Sequence, residues 1–411
     1  MTQNNSSERV MMNNGYKKRH TYDRPGRWTA ILLILILAVS LTGVTGCGVK
    51  KNGEAGGEHQ STDTAQDSGK ATENTQGKED ADSGATRSFT DDCGREVEIP
   101  EKVTQVVASG NVAQIFLYAV APDTLMAIPG KYSKEAKQYV PKEYRNLAEI
   151  GSFFGSHDLN YEEIAKLGPQ IVIDVGEKKP SMKADLEDIT TKTGIPAVHI
   201  DAYYDTMDEA FRKLGVLLGR EVEGNELADY CTRALEQSMS AAEAAKKDGK
   251  QVSLLYCTQE DGLNVLAKGS YHAEVIDKMA DNLAVLTDPS SQGTGNEVNL
   301  EQMLLWDPEV IIFAPQSYYD YVKDDPAWQV LKAVKDDRYY EVPFGPYNWA
   351  GSPPSSNRVL GMLWMAALLY PDYVKYDIEQ ETIKYYQLFY HHDLTDKEYK
   401  KLVKNSIIKK D

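Results

Sequence analysis

Residues 160–176 read NYEEIAKLGPQIVIDVG, and residues 299–315 read NLEQMLLWDPEVIIFAP. When the two stretches are aligned, both carry Asn at the first position, Glu at the third and Pro at the tenth. Each predicts a short helix, a turn and a continuous apolar strand of the kind that a parallel sheet covers on both faces. Helix–turn–strand units recur in any α/β protein, but packing alone does not require the shared polar residues. The repeat therefore predicts an α/β fold with two similar lobes built on parallel sheets.

Size and charge limit the possible functions. The chain has 411 residues, 41% of them hydrophobic, which is enough for two domains with real cores. Its formal net charge is -17. Because phosphate backbones repel so acidic a chain, we expect no nucleic-acid partner.

The N-terminus has the parts of a secretory signal peptide, which we assign to residues 1–46. Basic residues precede the apolar stretch 28–41, and small residues precede Cys47. The apolar run is short for a membrane span, which is the alternative. The small residues ending at Cys47 resemble the lipobox of bacterial lipoproteins, which implies a lipid on that Cys. The protein would then be anchored to the outer face of the cell membrane.

The rest of the chain divides by composition. Residues 47–87 are almost wholly small, polar or charged and predict a flexible tether. Residues 88–206 alternate strand and helix patterns and predict an N-terminal lobe, and residues 249–411 predict a C-terminal lobe. Between them, residues 207–248 predict linking helices with a break at Gly224-Asn225. The second linking helix is expected to act as a single long rigid strut.

Several segments together resemble one protein family. They are the lipobox, the sequence DCGREVEIP at 92–100, the paired repeats, the long linking helix and WAGSPPSSNR at 349–358. Between about residues 89 and 370 the chain resembles class III (cluster A-2) substrate-binding lipoproteins of ABC importers, the family of iron-siderophore, haem and cobalamin receptors. The resemblance implies two Rossmann-like lobes, joined by a single long rigid helix, that hold a ligand in the cleft between them.

The same resemblance implies the partners. The protein would be a monomer that captures a small-molecule metal chelate and delivers it to an ABC permease dimer with its cytoplasmic ATPase. Glu162 and Glu301, one in each repeat, would dock on Arg residues of the permease. No resident cofactor is expected, because iron, cobalt or another metal would belong to the transported ligand.

Ligands of open α/β sheets bind beyond the carboxyl ends of the strands, and the loops expected there are rich in aromatic residues. Such rings suit a flat or bulky conjugated ligand, and basic side chains could balance an anionic chelate. The candidate ligand-binding residues are Asn111, Lys131, Tyr132, Phe153, Tyr271, Tyr318, Tyr347, Trp349 and Arg358. His157 and His272 are candidates for direct contact with the metal.

Enzymatic chemistry has little support in the sequence, which contains no GxxxxGK[ST], HExxH or GxSxG motif. We therefore expect no catalytic residues and no enzyme activity. Two alternatives stay open: a receptor of the same family for an oxyanion such as molybdate or tungstate, and a surface metalloenzyme on the same fold.

Overall fold

The computed structural model describes residues 84–153 and 158–408 of the chain. The predicted signal peptide, Cys47, most of the predicted tether and His157 lie outside these ranges. Within them, no helix combines the length and the apolar character that crossing a membrane requires.

The described chain begins with a hairpin that covers one edge of the first lobe. Its strands are β1 (Thr86–Thr90) and β2 (Glu96–Pro100), so β1 starts two residues inside the segment predicted as tether. The turn between them bonds to the last strand of the lobe: the Asp92 amide donates to the His199 carbonyl at 3.0 Å, and Asp92 Oδ2 accepts from the Asp201 amide at 2.9 Å. Unpaired backbone groups at that sheet edge are thereby satisfied.

The first lobe is a parallel sheet with helices on its faces. β3 pairs with β6 and β6 with β7, while β4 pairs with β5, and a bridge between Val106 and Leu125 links the two groups. The strands are β3 (Val106–Ala108), β4 (Ala127–Ile128), β5 (Ala148–Glu149), β6 (Ile171–Gly176) and β7 (Ala197–Asp201). The helices are α1 (Asn111–Val120), α2 (Lys142–Arg145), α3 (Tyr161–Leu167) and α4 (Met182–Thr193).

Two linking helices follow, α5 (Met207–Leu218) and α6 (Glu221–Lys247). The break predicted at Gly224-Asn225 is wrong, because α6 runs through it for 27 residues, about 40 Å at 1.5 Å per residue. Gly224 serves packing instead. A Cβ there would lie 2.7 Å from the Phe211 carbonyl oxygen and 2.8 Å from Gly215 Cα, so the glycine permits backbone contact between α5 and α6.

The second lobe is built around a mixed sheet in the order β11-β9-β8-β12-β13, with β10 also paired to β8. The central strands are parallel, and β9 and β11 add an antiparallel edge. The strands are β8 (Ser253–Thr258), β9 (Asn264–Val265), β10 (Asp281–Asn282), β11 (Asn296–Glu297), β12 (Val310–Phe313) and β13 (Tyr339–Glu341). Its helices are α7 (Glu274–Met279), α8 (Leu300–Trp306), α9 (Tyr319–Val322), α10 (Lys332–Lys335) and α11 (Asn357–Leu369).

Two final helices are α12 (Ile378–Tyr390) and α13 (Asp396–Leu402). Although α12 follows the second lobe in sequence, its aromatic face packs on the first lobe. The Phe389 and Phe211 rings lie 5.5 Å apart, and the Tyr118 hydroxyl donates to the Tyr390 carbonyl at 3.3 Å. The end of the chain therefore fastens both lobes to the α5–α6 pair.

The repeat in the sequence is a repeat in the structure. Asn160 caps α3 by accepting from the Glu163 amide at 3.0 Å, and Asn299 caps α8 by accepting from the Gln302 amide at 2.8 Å. Both helices end at a left-handed residue. Burial classes agree at every position between 160–174 and 299–313. The shared Asn is thus explained by helix capping, and the prediction of two similar α/β lobes is confirmed.

Candidate ligand-binding cleft

The carboxyl ends of the two sheets open onto one cleft of about 1050 Å³. The first lobe contributes residues 109–113, 152, 174–177 and 179, and the second contributes 256, 258–260, 266, 271–272, 291–294, 314–317, 344, 348 and 350–354. The wall is mostly small and polar, and its aromatic part consists of Tyr256, Tyr271 and Phe344. A cleft of this size can surround a ligand of several hundred daltons.

Two buried hydroxyl groups of the cleft lining, one from each lobe, both donate their proton to an acceptor within the protein. Ser109 follows β3, and its hydroxyl donates to Asp174 Oδ1. Thr258 ends β8, and its hydroxyl donates to the Thr294 carbonyl at 2.6 Å. Carboxylate and carbonyl oxygens can only accept, so each hydroxyl proton is committed to the protein. Each hydroxyl oxygen can therefore take part in a further hydrogen bond only as an acceptor.

Asp174 belongs to a chain of charges that leads from the cleft to the outer edge of the sheet. Nδ1 of His199 lies 2.6 Å from Asp174 Oδ2, and its Nε2 lies 2.9 Å from Asp201 Oδ1. The Asp201 carboxylate in turn pairs with Lys178 at 3.1 Å. Two carboxylate partners are both satisfied only when the imidazole carries both protons. Burial would lower the pKa of His199, but hydrogen bonds and charge from Asp174 and Asp201 raise it on balance.

On the second lobe, Arg358 lies buried against the cleft-lining Tyr271. Its Cζ is 4.2 Å from the ring centroid, and Nη2 donates to the Tyr271 carbonyl at 2.6 Å. Nη1 pairs with Glu274 at 2.5 Å, and only 1% of the Arg358 side chain is exposed. The Tyr271 hydroxyl donates to the Ala202 carbonyl of the first lobe at 3.3 Å. The tyrosine is therefore a supported wall that also contacts the opposite lobe.

Three of the residues singled out in the sequence line this cleft: Asn111, Tyr271 and His272. Asn111 is the first residue of α1 and is exposed. His272 has its pKa lowered, first by burial and then by the charge of Arg358, which favours the neutral imidazole. Among the described residues, no group of three or more His, Cys, Asp or Glu side chains is arranged to hold a metal ion.

The other candidates lie away from the cleft lining and have different roles. Lys131 pairs with Glu149 at 3.3 Å on the surface, and Phe153 packs in a small core of the first lobe. The Tyr318 hydroxyl donates to Asp325 at 2.7 Å, and its ring stacks on Trp328. The remaining four, Tyr132, Tyr347, Trp349 and Arg358, pack in or against the main core.

Asp174 and His199 were missed because both lie inside strands. A signal was present, since Asp174 interrupts the apolar run of the first repeat where the second has Phe313. A carboxylate at such a position is costly unless a partner compensates it. His199 is that partner, one strand away.

Comparisons with known proteins agree with this architecture. Residues 106–345 match the family model described as periplasmic binding protein. An ABC transporter solute binding protein from Sulfurospirillum deleyianum is 27% identical with a TM-score of 0.71, over 77% of this chain and 99% of that one. No curated protein is similar enough to count as a match.

Two further solved structures share the fold at lower identity. A molybdate periplasmic binding protein from Haemophilus influenzae is 22% identical with a TM-score of 0.58, over 75% of this chain and 99% of that one. Helicobacter pylori CeuE, solved with nickel and histidine, is 18% identical with a TM-score of 0.57, over 79% of this chain and 100% of that one. The chain belongs to the periplasmic binding protein family, the extracytoplasmic solute-binding components of ABC transporters. Its members carry a transported ligand rather than a cofactor.

Proposed function

We propose that this protein is a lipid-anchored receptor that captures a metal chelate in the cleft between its lobes and delivers it to an ABC permease. The observation that carries the proposal is the cleft of about 1050 Å³, lined by the strand ends of both lobes. A volume of this order matches an organic chelate that brings its own metal ligands. Tyr271 and Phe344, both partly exposed, provide aromatic surface against which a conjugated ligand can pack.

An oxyanion is the second candidate, and one feature favours it. The first turn of α1, at residues 111–113, lines the cleft, and no side chain caps it. Backbone amides at a helix N-terminus bind anions readily. The Haemophilus influenzae neighbour is a molybdate-binding protein, which makes molybdate the appropriate competitor in binding experiments.

The anchoring and docking parts of the proposal rest on the sequence. A lipid on Cys47 and the polar segment 47–87 would hold the lobes near the membrane surface while leaving them free to meet a permease. Cys47→Ala should then yield an unprocessed or released protein, and a mutant that is still lipidated and cut at the same bond would contradict the anchor. Glu162 and Glu301 are both exposed at equivalent positions of α3 and α8, as docking on two equivalent basic sites requires.

The ligand can be identified by native mass spectrometry with metal analysis of protein purified from its source. We expect one organic chelate and one metal per chain. The binding constant would then be measured for that chelate and for molybdate. Tyr271→Ala should weaken chelate binding, whereas Tyr321→Ala, at a tyrosine 63% exposed and outside the cleft lining, should not. Tighter binding of molybdate than of every chelate would establish the oxyanion receptor instead.

A further inference from the structure

The charges around the cleft constrain what kind of ligand it can accept. Among the described residues that line it, Glu177 and Glu260 are acidic and Lys179 is basic, while the charge of Asp174 is balanced by His199. The cations just behind the wall are already compensated: His199 by Asp174 and Asp201, and Arg358 by Glu274. These cations are therefore largely neutralised by their buried partners and attract an anionic ligand only weakly. A ligand with two or three negative charges would find more repulsion than attraction among these groups.

The region beside the cleft carries the same sign. A smaller cavity of about 480 Å³ shares Glu177 and Tyr271 with the main cleft and adds Glu274, Asp277 and Lys278. Burial raises the pKa of both Glu274 and Asp277, and the nearby carboxylates of Asp205 and Glu177 raise the pKa of Glu274 further. A neighbouring positive group would be stabilised here, and a negative one would not.

The hydroxyl groups of Ser109 and Thr258 add a directional requirement. Each has committed its proton to an acceptor within its own lobe, to Asp174 and to the Thr294 carbonyl respectively. Both residues line the cleft and are largely buried, Ser109 2% and Thr258 5% exposed, so an acceptor left without a partner there is costly. A group that donates a hydrogen bond satisfies these oxygens, whereas an oxyanion is repelled by them.

We infer that the cleft selects a neutral or cationic chelate that donates hydrogen bonds to Ser109 Oγ from one side and to Thr258 Oγ1 from the other. This inference rests on the proposed function and narrows it to complexes with ammonium, amide or hydroxyl donors. The amides at the start of α1 can still accept one carbonyl oxygen of such a ligand. Trianionic tris-catecholate complexes and molybdate are disfavoured by charge.

The first test compares four probes: a ferric tris-hydroxamate with a pendant ammonium, a neutral ferric tris-hydroxamate, a ferric tris-catecholate and molybdate. We expect either hydroxamate complex to bind at least about tenfold more tightly than both anions, because like charges separated by a few ångströms repel each other near a protein surface. The double variant Glu177→Gln/Glu260→Gln should reduce the ratio of the affinity for the hydroxamates to the affinity for the anions. Glu187→Gln/Glu226→Gln, an equal charge change at two exposed carboxylates outside the cleft lining, should leave it unchanged. Tighter binding of the catecholate or of molybdate would overturn the inference.

The hydrogen-bond requirement is tested by two substitutions of Thr258. Thr258→Val keeps the side-chain shape but removes the oxygen, and should weaken binding of the preferred hydroxamate about tenfold. Thr258→Ser keeps the hydroxyl and should restore most of the affinity. Equal affinities of the Val and Ser variants would remove Thr258 from the selection.

A measurement without any ligand separates this inference from the proposed function. Paramagnetic relaxation of the Gly110, Asn111 and Thr258 amide protons can be compared between a cationic and an anionic nitroxide. We expect the cationic probe to relax these protons more strongly, and the difference to shrink in the Glu177→Gln/Glu260→Gln variant. If none of the four complexes binds but the cationic nitroxide is favoured, the chelate function fails while the charge selection stands. Stronger relaxation by the anionic nitroxide contradicts the charge selection whatever the ligand is.

Discussion

The guanidinium of Arg358 lies with Cζ 4.2 Å from the centre of the Tyr271 ring, and Nη1 holds Glu274 at 2.5 Å. Tyr271 faces the cleft, while Arg358 is almost completely buried. Arg358 therefore supports a ligand-facing residue. Its sequence context had suggested instead that it would balance the charge of the ligand. Burial raises the pKa of Glu274 even with this partner beside it, so the carboxylate depends on the arginine to stay ionised.

Arg358→Gln should therefore destabilise the fold by roughly 3–5 kcal/mol, because it leaves Glu274 without its buried partner. Adding Glu274→Gln removes the orphaned charge, so the double variant should be more stable than the sum of the two single changes predicts. A double-mutant cycle from urea unfolding measures this coupling. Additive effects would show that the ion pair contributes no coupling energy.

Trp349 offers a second test, because the structure moves it from the expected ligand wall to the core. It is fully buried, with its ring 6.5 Å from that of Tyr386. Trp349→Ala should cost about 3–5 kcal/mol of unfolding free energy, as large-to-small changes in cores do. Trp349→Phe should cost less, since it keeps an aromatic ring in the space. Chemical denaturation of both variants provides the measurement, and a Trp349→Ala protein as stable as the parent would contradict the core assignment.

A third prediction concerns the contact between the linking helices. Gly224→Ala places a Cβ 2.7 Å from the Phe211 carbonyl oxygen, a backbone atom that cannot move without α5. Overpacking of this kind typically costs about 1–3 kcal/mol, and it opposes the roughly 1 kcal/mol that Ala gains over Gly in a helix. We expect net destabilisation in thermal unfolding. Gly130→Ala, at a site with open space around its Cβ, is the control, and a more stable Gly224→Ala protein would show that the helices can separate without loss.

Much of the architecture was predictable because its signals are local. The Asn caps, the turns and the apolar runs of the two repeats depend on neighbours in sequence, and α4 and α5 each end at a glycine with a left-handed backbone. The continuation of α6 through Gly224 was not predictable in this way. A glycine inside a helical pattern signals either a break or a close approach, and only the position of Gly215 on the adjacent helix decides between them.

The cleft was harder to predict, for a physical reason. Sequence shows that the loop at 343–354 is aromatic and irregular, but it does not show which way a ring points. α12 supplies the stacked Tyr385 and Phe389 and the neighbouring Tyr386 and Tyr390, and the fully buried Trp349 packs near this cluster. That cluster comes from the far end of the chain, so the burial of Trp349 depends on a long-range contact that no local pattern encodes.

His199 predicts a pH dependence of stability. Its neighbours are the carboxylates of Asp174 and Asp201, the latter paired with Lys178, and Asp91 accepts its backbone amide at 3.4 Å. Because the pKa is raised in the folded state, this contribution is complete below the unfolded value of 6.5 and is lost as the pH rises through the folded pKa. The urea midpoint should therefore fall as the pH rises above 6.5, and His199→Gln should flatten that slope.

His272→Gln is the comparison for this experiment. Burial lowers the pKa of His272, so its contribution to stability is lost on the acid side of 6.5 instead. The His272 variant should keep the fall of the urea midpoint above pH 6.5 that the His199 variant loses. An identical pH profile for the parent protein and the His199→Gln variant would show that the imidazole does not change its protonation over this range.

The final prediction concerns docking by the two repeats. Glu162 and Glu301 stand at the third position of each repeat, exposed on α3 and α8, and neither side chain is needed for the Asn cap beside it. A first-turn Glu contributes about 0.3–1 kcal/mol through the helix dipole, so both positions tolerate Ala without unfolding. If the pair meets two basic sites on a permease dimer, opposite charges set the register of the complex.

Glu162→Ala and Glu301→Ala should then leave affinity for the identified chelate intact while reducing its uptake by cells, and the double variant should be worse than either. Glu187→Ala and Glu297→Ala, which remove exposed carboxylates elsewhere on the same two lobes, are the matched controls. Normal uptake in the Glu162→Ala/Glu301→Ala protein would end the docking assignment.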